Sequence, residues 1–420
     1  MDEDDSRKAI EAAFRIERAR LVAGLVRYVG DLSLAEEFAQ EALVAALSAW
    51  PKAGIPANPA AWLMTTAKRR AIDHARRRQT EALKESAVTL AFYEIGTSHA
   101  DAAEAAMDDD IGDERLALIF TACHPVLTPA SRVALTLKVV AGLSTAEIAR
   151  AFVTGEATVS QRVLRAKNQL GAARPVYEVP TGPERVQRLA SVLEVVYLIF
   201  NEGYAATSGN AVLRPPLSEE AMRLGRILAA LLPEEPEVLG LLALMELQAA
   251  RFPARIDRDG VPVPITEQNR ARWDRLLLTH GFSALERAFA AAGGQPGPYT
   301  LQAAIAARHG LAPRAEDTDW RTIAAIYDRL IDLVPSPVVA LNRAIAHSMA
   351  GGPELGLTLL AEIEHLPALA VPLYAARADC LLRAGHYPEA ADLFARAMTL
   401  SGNHSEKAFF KRRIEICRRN

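Results

Sequence analysis

The sequence predicts an all-α protein: two small helical domains joined by a linker, the second a helix-turn-helix, followed by a large α-helical extension that ends in paired helices. Three observations carry this. Helix-start signals recur, with Ser33 and Glu36, Asn58 and Pro59, Thr128 and Pro129, and Ser144 and Glu147 each setting a capping side chain or an N1 proline before an apolar periodic run. Strand-like alternation is weak throughout. Near the end, residues 34 apart match in kind: Ala344 with Ala378, Gly351 with Gly385, Gly356 with Ala390, Leu360 with Phe394 and Ile363 with Ala397. A period of 34 with small residues where two helices cross is the pattern of a tetratricopeptide-like hairpin.

Taken in order, residues 7–49 carry helical periodicity, with Phe14, Leu21, Leu25, Val26 and Val29 on one face and a break at Gly30 and Asp31. The second run, Leu34 to Leu47, is expected to open on the capping box Ser33/Glu36. The stretch 50–57 holds two prolines and a glycine and is expected to be a loop. Asn58 then caps a helix running through Arg78. Residues 81–112 read as an acidic linker, and 113–172 as a compact helical domain. The composition of 173–183 is that of a second linker. Residues 184–334 form a helical extension domain, punctuated at Pro215 and Pro216, 253–264 and 293–298, and 335–420 the repeats. The first domain spans 1–80.

With 420 residues, half of them hydrophobic, the chain has ample material for several cores, and its net charge of −3 excludes a protein that coats nucleic acid along its whole length. Basic function must therefore be local. Three widely spaced cysteines support neither a disulfide framework nor a zinc site. The acidic N-terminal residues and the short apolar runs predict a cytoplasmic protein with no membrane segment. Metalloprotease, P-loop, nucleophile-elbow and dinucleotide motifs are missing, so no catalytic residue, metal or cofactor is expected. Cys123 and His124 are neighbours on a helix and do not face each other. Asn201 to Tyr204 reads as a helix end capped at Gly203, and the 257–260 turn is the only other hint of chemistry.

Two basic helices stand out. Lys68, Arg69, Arg70, Arg76, Arg77 and Arg78 face a single Asp73, an electrostatic footprint for phosphate in a chain that is otherwise net negative. The segment 144–167 reads as a helix-turn-helix: a first helix 146–152, a turn 153–155, and a second helix 156–167, with Ala149 and Val159 letting the two cross closely. Thr158, Ser160, Gln161, Arg162, Arg165 and Lys167 are the donors that such a second helix would offer to a major groove.

Together these residues resemble bacterial RNA polymerase sigma factors of the extracytoplasmic-function kind, in a subgroup with a long C-terminal extension. The segment 31–43 (DLSLAEEFAQEAL) is similar to their core-binding helix, and Trp50 and Pro51 through Asn58, Pro59, Trp62 and Leu63 to the loop and helix that read the −10 element. Segments 144–152 (STAEIARAF) and 156–167 (EATVSQRVLRAK) are similar to region four, which reads the −35 element. The resemblance covers 1–172. It implies that Glu36, Glu37, Gln40 and Glu41 contact core polymerase, that Asn58, Trp62, Lys68, Arg69, Arg70, Arg76 and Arg77 contact the −10 element, and that Thr158, Ser160, Gln161, Arg162, Arg165 and Lys167 contact the −35 element. RNA polymerase core and promoter DNA are the implied partners, with a protein or peptide ligand for the extension. Two departures stand at Arg69, where many members carry asparagine, and at Thr154 and Gly155, where valine and proline are usual. A helix-turn-helix regulator with an effector domain, independent of polymerase, is the alternative; it has no need of an acidic face at 33–47.

Overall fold

The computed structural model describes residues 3–85, 111–152, 154–173, 175, 177–204, 215–363 and 369–419. They are helical apart from their connections; among them the only β pairing is an isolated bridge between Ile256 and Pro262. They form two compact bodies, Met1–Val195 and Val196–Asn420.

In the first body α1 (Glu3–Val29), α2 (Leu32–Ala53) and α3 (Pro59–Glu85) pack on one another, and α1 also packs on α4 (Ile111–Ala122). Ile10, Phe14, Leu21, Leu25 and Val26 of α1, Phe38 of α2, and Leu63 and Met64 of α3 are all buried. Two expectations need correction. The cap of α2 is Asp31, whose carboxylate accepts from the amides of Ser33 and Leu34 at 2.7 and 2.9 Å; Ser33 already lies inside the helix, and Glu36 is turned elsewhere. Nor is 50–57 wholly loop: α2 continues through Pro51 to Ala53. Proline costs one hydrogen bond there, but burial of Trp50 holds the turn, and Gly54, at φ +85, closes it with an amide donated to the Trp50 carbonyl at 2.9 Å. Asn58 does cap α3, accepting from the Ala61 amide at 3.1 Å.

The next elements are α5 (Pro129–Val139), α6 (Thr145–Ala151), α7 (Glu156–Ala173) and α8 (Gly182–Tyr204). Thr128 caps α5 with Pro129 at N1, and Ser144 and Glu147 close the full capping box of α6. Ala149 and Val159 are buried at the α6/α7 crossing. Val153 lies outside the described residues, as do 86–110 with most of the acidic run. The first part of α8 belongs to this body: Ser191 donates to the Cys123 carbonyl at 2.6 Å, Arg188 to the Phe120 carbonyl at 3.1 Å, and buried Arg132 pairs with Glu194 at 2.9 Å. The helix runs on through buried Gly203 to Tyr204, so Gly203 does not stop it.

In the second body α10 (Pro236–Ala249), buried along nearly its whole length, is wrapped by α9 (Pro215–Leu231), α11 (Arg275–Ala291) and α12 (Pro298–Leu311). Gly240 is required at the α10/α12 crossing, because a Cβ there would sit 2.7 Å from the Thr300 amide nitrogen. Helix α12 lacks a capping side chain of its own, and Glu237 of α10 supplies one, accepting from the Tyr299 and Thr300 amides at 2.8 and 3.1 Å. Helix α13 (Trp320–Leu333) leads into α14 (Pro337–Gly351), α15 (Pro353–Ala361), α16 (Ala370–Arg383), α17 (Tyr387–Leu400) and α18 (His404–Arg419). Of the residues paired 34 apart, Ala344 lies on α14 and Ala378 on α16, Gly356 and Leu360 lie on α15 and Ala390 and Phe394 on α17, whereas Ile363 falls beyond the end of α15 and Ala397 inside α17. Ala344 and Ala378, and Leu360, Phe394 and Ala397, are all buried. One apolar cluster joins Leu301, Ile305, Ile323 and Leu330 to Ala346, so α14 shares a core with the helices before it.

Candidate nucleic-acid and polymerase surfaces

The side chains expected to contact polymerase divide into two sets. Glu37, Gln40 and Glu41 are exposed along α2. Glu36 is not: only 7% of it is exposed, and it forms ion pairs with Arg18 of α1, at 2.6 Å, and with Lys167 of α7. The helical period puts position 36 on the core side of α2 together with Leu32, Ala35 and Ala39, all buried. Arg18, which holds it, carries no motif in the sequence and was not legible as a functional residue.

On α3 three of the described cationic side chains lie on the outer side. Arg69, Arg70 and Arg76 are exposed and Lys68 is half-buried, while Leu63, Ala67 and Ala71 face inward. The helix position of Arg77 is described, but its side chain lies outside the described residues. Arg70 stands 3.7 Å from Glu41, an exposed pair of little energetic weight, so the acidic surface of α2 and the basic surface of α3 adjoin. Trp62 is half-buried, its ring edge-to-face with Trp50 at 5.3 Å, and Asn58 spends its side-chain oxygen on the cap. The segment 54–58 is thereby held between two fixed helix ends.

On α7 the residues Thr158, Ser160, Gln161 and Arg165 are exposed, Arg162 is half-buried, and Val159, Val163, Ala166 and Leu170 form the inner stripe. Four polar groups within two turns, one of them a guanidinium, are what a major groove can accept from one helix. Lys167 lies at the far end, against Glu36. The ammonium of Lys138 on α5 is pushed below its usual value by burial, and Arg18 and Lys167 add repulsion.

Elsewhere the candidate chemistry is absorbed by structure. The Cys123 thiol is buried 3.3 Å from the Thr136 hydroxyl, and burial pushes it up to about 11, which disfavours the thiolate. His124 accepts from the Val126 amide at 3.1 Å, a local turn contact. Asp257 accepts from the amides of Asp259 and Val261 and pairs, with Asp259, to Arg412 of α18. Among the described residues no group of His, Cys, Asp and Glu could hold a metal ion, and no helix is long and apolar enough to cross a membrane.

Residues 14–81 match sigma-70 region 2 and residues 117–170 match sigma-70 region 4; residues 188–289 match a family of unknown function, DUF6596. The chain is 38% identical over 406 residues to the uncharacterized protein R00370 of Rhizobium meliloti, an alignment that covers 97% of this chain and 95% of the relative. It is 30% identical over 178 residues to the probable ECF RNA polymerase sigma factor SigI of Mycobacterium tuberculosis, covering 42% of this chain and 59% of SigI. With the ECF RNA polymerase sigma factor SigK of Mycobacterium ulcerans it shares 32% identity over 149 residues, 34% of this chain and 73% of SigK.

Proposed function

The chain is a sigma factor of the sigma-70 type and belongs to one family with the Rhizobium meliloti protein, and from this premise we propose that it directs core RNA polymerase to promoters in the manner of the extracytoplasmic-function group. Region 2 spans α1 to α3 and region 4 spans α4 to α7. The observation that carries the reading is the coexistence, in one body, of an exposed acidic and amide surface at Glu37, Gln40 and Glu41 with two separate cationic surfaces, one on α3 and one on α7.

In this reading Glu37, Gln40 and Glu41 meet a basic surface of core polymerase. Lys68, Arg69, Arg70, Arg76 and Arg77 hold phosphates of the −10 element, while the 54–58 segment, between Trp50 and Trp62, receives an unstacked base. Residues Thr158, Ser160, Gln161, Arg162 and Arg165 enter the major groove of the −35 element. Opening the duplex needs no bond chemistry from the protein: unstacking costs a few kcal/mol per step, which stacking and phosphate contacts on the freed strand offset. The extension, tetratricopeptide-like at 335–420, regulates or supports that activity by binding a protein or peptide.

The test is co-purification with core polymerase. Full-length chain is expected to bind core, and Glu37→Lys with Gln40→Ala to weaken binding at least tenfold, because charge reversal at an interface costs several kcal/mol. Undiminished binding of the double variant would reject the α2 assignment.

A further inference from the structure

Tyr197, Asn201 and Tyr204 stand at i, i+4 and i+7 spacing, hence on one face of the part of α8 that belongs to the second body. The Tyr197 hydroxyl donates to the Gln302 side chain of α12 at 3.4 Å, and its ring meets that of Tyr299 edge to face at 5.5 Å. The Tyr204 ring lies 5.6 Å from that of Phe200, 5.9 Å from that of Phe252, and 3.6 Å from the guanidinium carbon of Arg255. Tyr327 of α13 completes the group, close enough to Tyr197 and Tyr204 for both to oppose its ionisation.

These side chains are deep and yet open. Burial pushes the Tyr327 hydroxyl up to about 12, raises that of Tyr197 and lowers the Arg255 guanidinium, while Tyr197, Asn201, Tyr204, Arg255, Gln302 and Tyr327 are all only half-buried. Groups surrounded by protein and still reached by solvent line a cleft. The Tyr327 hydroxyl makes no hydrogen bond to the described residues and is not sealed from solvent. Arg255 spends one terminal nitrogen on the Tyr204 carbonyl; its Nε and its other terminal nitrogen bond to none of the described residues. Among those residues no carboxylate pairs with Arg255, nor with Arg251, the neighbouring cation that repels it and that donates to the neutral Gln268 side chain at 3.2 Å. A guanidinium held this deep is costly without an anion. We propose that the cleft binds a small aromatic carboxylate: the acid takes the free edge of Arg255 and the Tyr327 hydroxyl, and the flat ring lies among Tyr197, Tyr204 and Tyr299. Arginine meets a carboxylate through two charge-assisted bonds at once, and tyrosine faces and edges suit a planar apolar body. The extension thereby carries a small-molecule site separate from the peptide surface proposed at 335–420, and its test needs neither polymerase nor DNA.

Saturation-transfer NMR on the full-length chain tests it, with benzoate and naphthoate as probes and benzamide and acetate as controls. Both aromatic acids are expected to bind and to compete with each other. Benzamide lacks the charge and acetate the ring, and each is expected to bind at least about tenfold more weakly than benzoate. Arg255→Met is expected to weaken benzoate about tenfold and to leave benzamide unchanged, a difference that general loss of structure does not produce. Tyr327→Phe keeps the ring and loses only the hydroxyl; it is expected to weaken benzoate about threefold, and it decides the matter should Arg255→Met not unfold cooperatively. No binding of either aromatic acid, or benzamide bound as well as benzoate, would overturn the proposal. So would an unchanged benzoate affinity in Arg255→Met, or in Tyr327→Phe where that variant decides.

Discussion

The indole rings of Trp50 and Trp62 meet edge to face, their centroids 5.3 Å apart and their planes at 68°, and this contact fixes the end of α2 against the start of α3. Trp50 is 3% exposed. Its replacement by alanine is expected to destabilise the first body by about 3–5 kcal/mol through lost burial and the cavity left behind. Urea unfolding of the full-length chain, followed by a probe in the first body, measures this. A loss under about 1 kcal/mol would show that the ring does not anchor the turn.

Arg162 and Arg165 separate reading from holding. Arg162→Ala, if the guanidinium reads a guanine, costs about 1–3 kcal/mol and relaxes preference at a single base pair, whereas Arg165→Ala, as a phosphate contact, weakens every sequence alike. Selection of bound duplexes by each variant distinguishes the two. Identical sequence profiles for wild type and Arg162→Ala would make Arg162 a phosphate contact as well.

Burial pushes the His309 imidazolium down to about 3, with Arg251 and Arg270 adding repulsion, so the folded protein keeps this ring neutral. An unfolded histidine titrates near 6.5, and as pH falls below that value the unfolded state takes up the proton first. Stability is therefore expected to fall between about pH 6.5 and pH 3, by up to about 1.4 kcal/mol per pH unit from this group. Thermal unfolding at pH 7 and pH 5 checks it: His309→Gln should reduce the drop on acidification, and equal drops in both proteins would assign the pH dependence to other groups.

Much of the fold was legible because caps and periodicity are local. Ser144, Glu147, Thr128 and Asn58 do what their positions promise, since the bonds they make lie within three residues. Trp50 and Pro51 misled because a proline penalty is local, while the burial that outweighs it comes from Trp62 on another helix. Glu36 misled for the same reason. Its spacing from Ser33 fits a capping box, but Arg18 and Lys167 reach it from 18 and 131 positions away in sequence, and neither is marked by a motif. The exposed polar residues of α7 followed from the apolar stripe beneath them, which needs only the helical period.

The extension should fail as a block. Ala346 closes the cluster of Leu301, Ile305, Ile323 and Leu330, and Arg412 and Arg413 of α18 reach Asp257, Asp259 and Glu267. Deleting 335–420 is thus expected to expose apolar surface on 215–333, read as dye binding and as faster proteolysis there, with α1 to α7 still folded. Unchanged proteolysis of 215–333 would show that those helices stand alone.

Run-off transcription with core polymerase on fragments of the host genome bears most directly on the central claim. Core supplemented with the full-length chain is expected to give discrete transcripts from a subset of fragments, and these should vanish when Arg162 and Arg165 are both replaced by alanine. No transcript above that of core alone, on any fragment, would contradict the claim that this chain gives polymerase its promoter address.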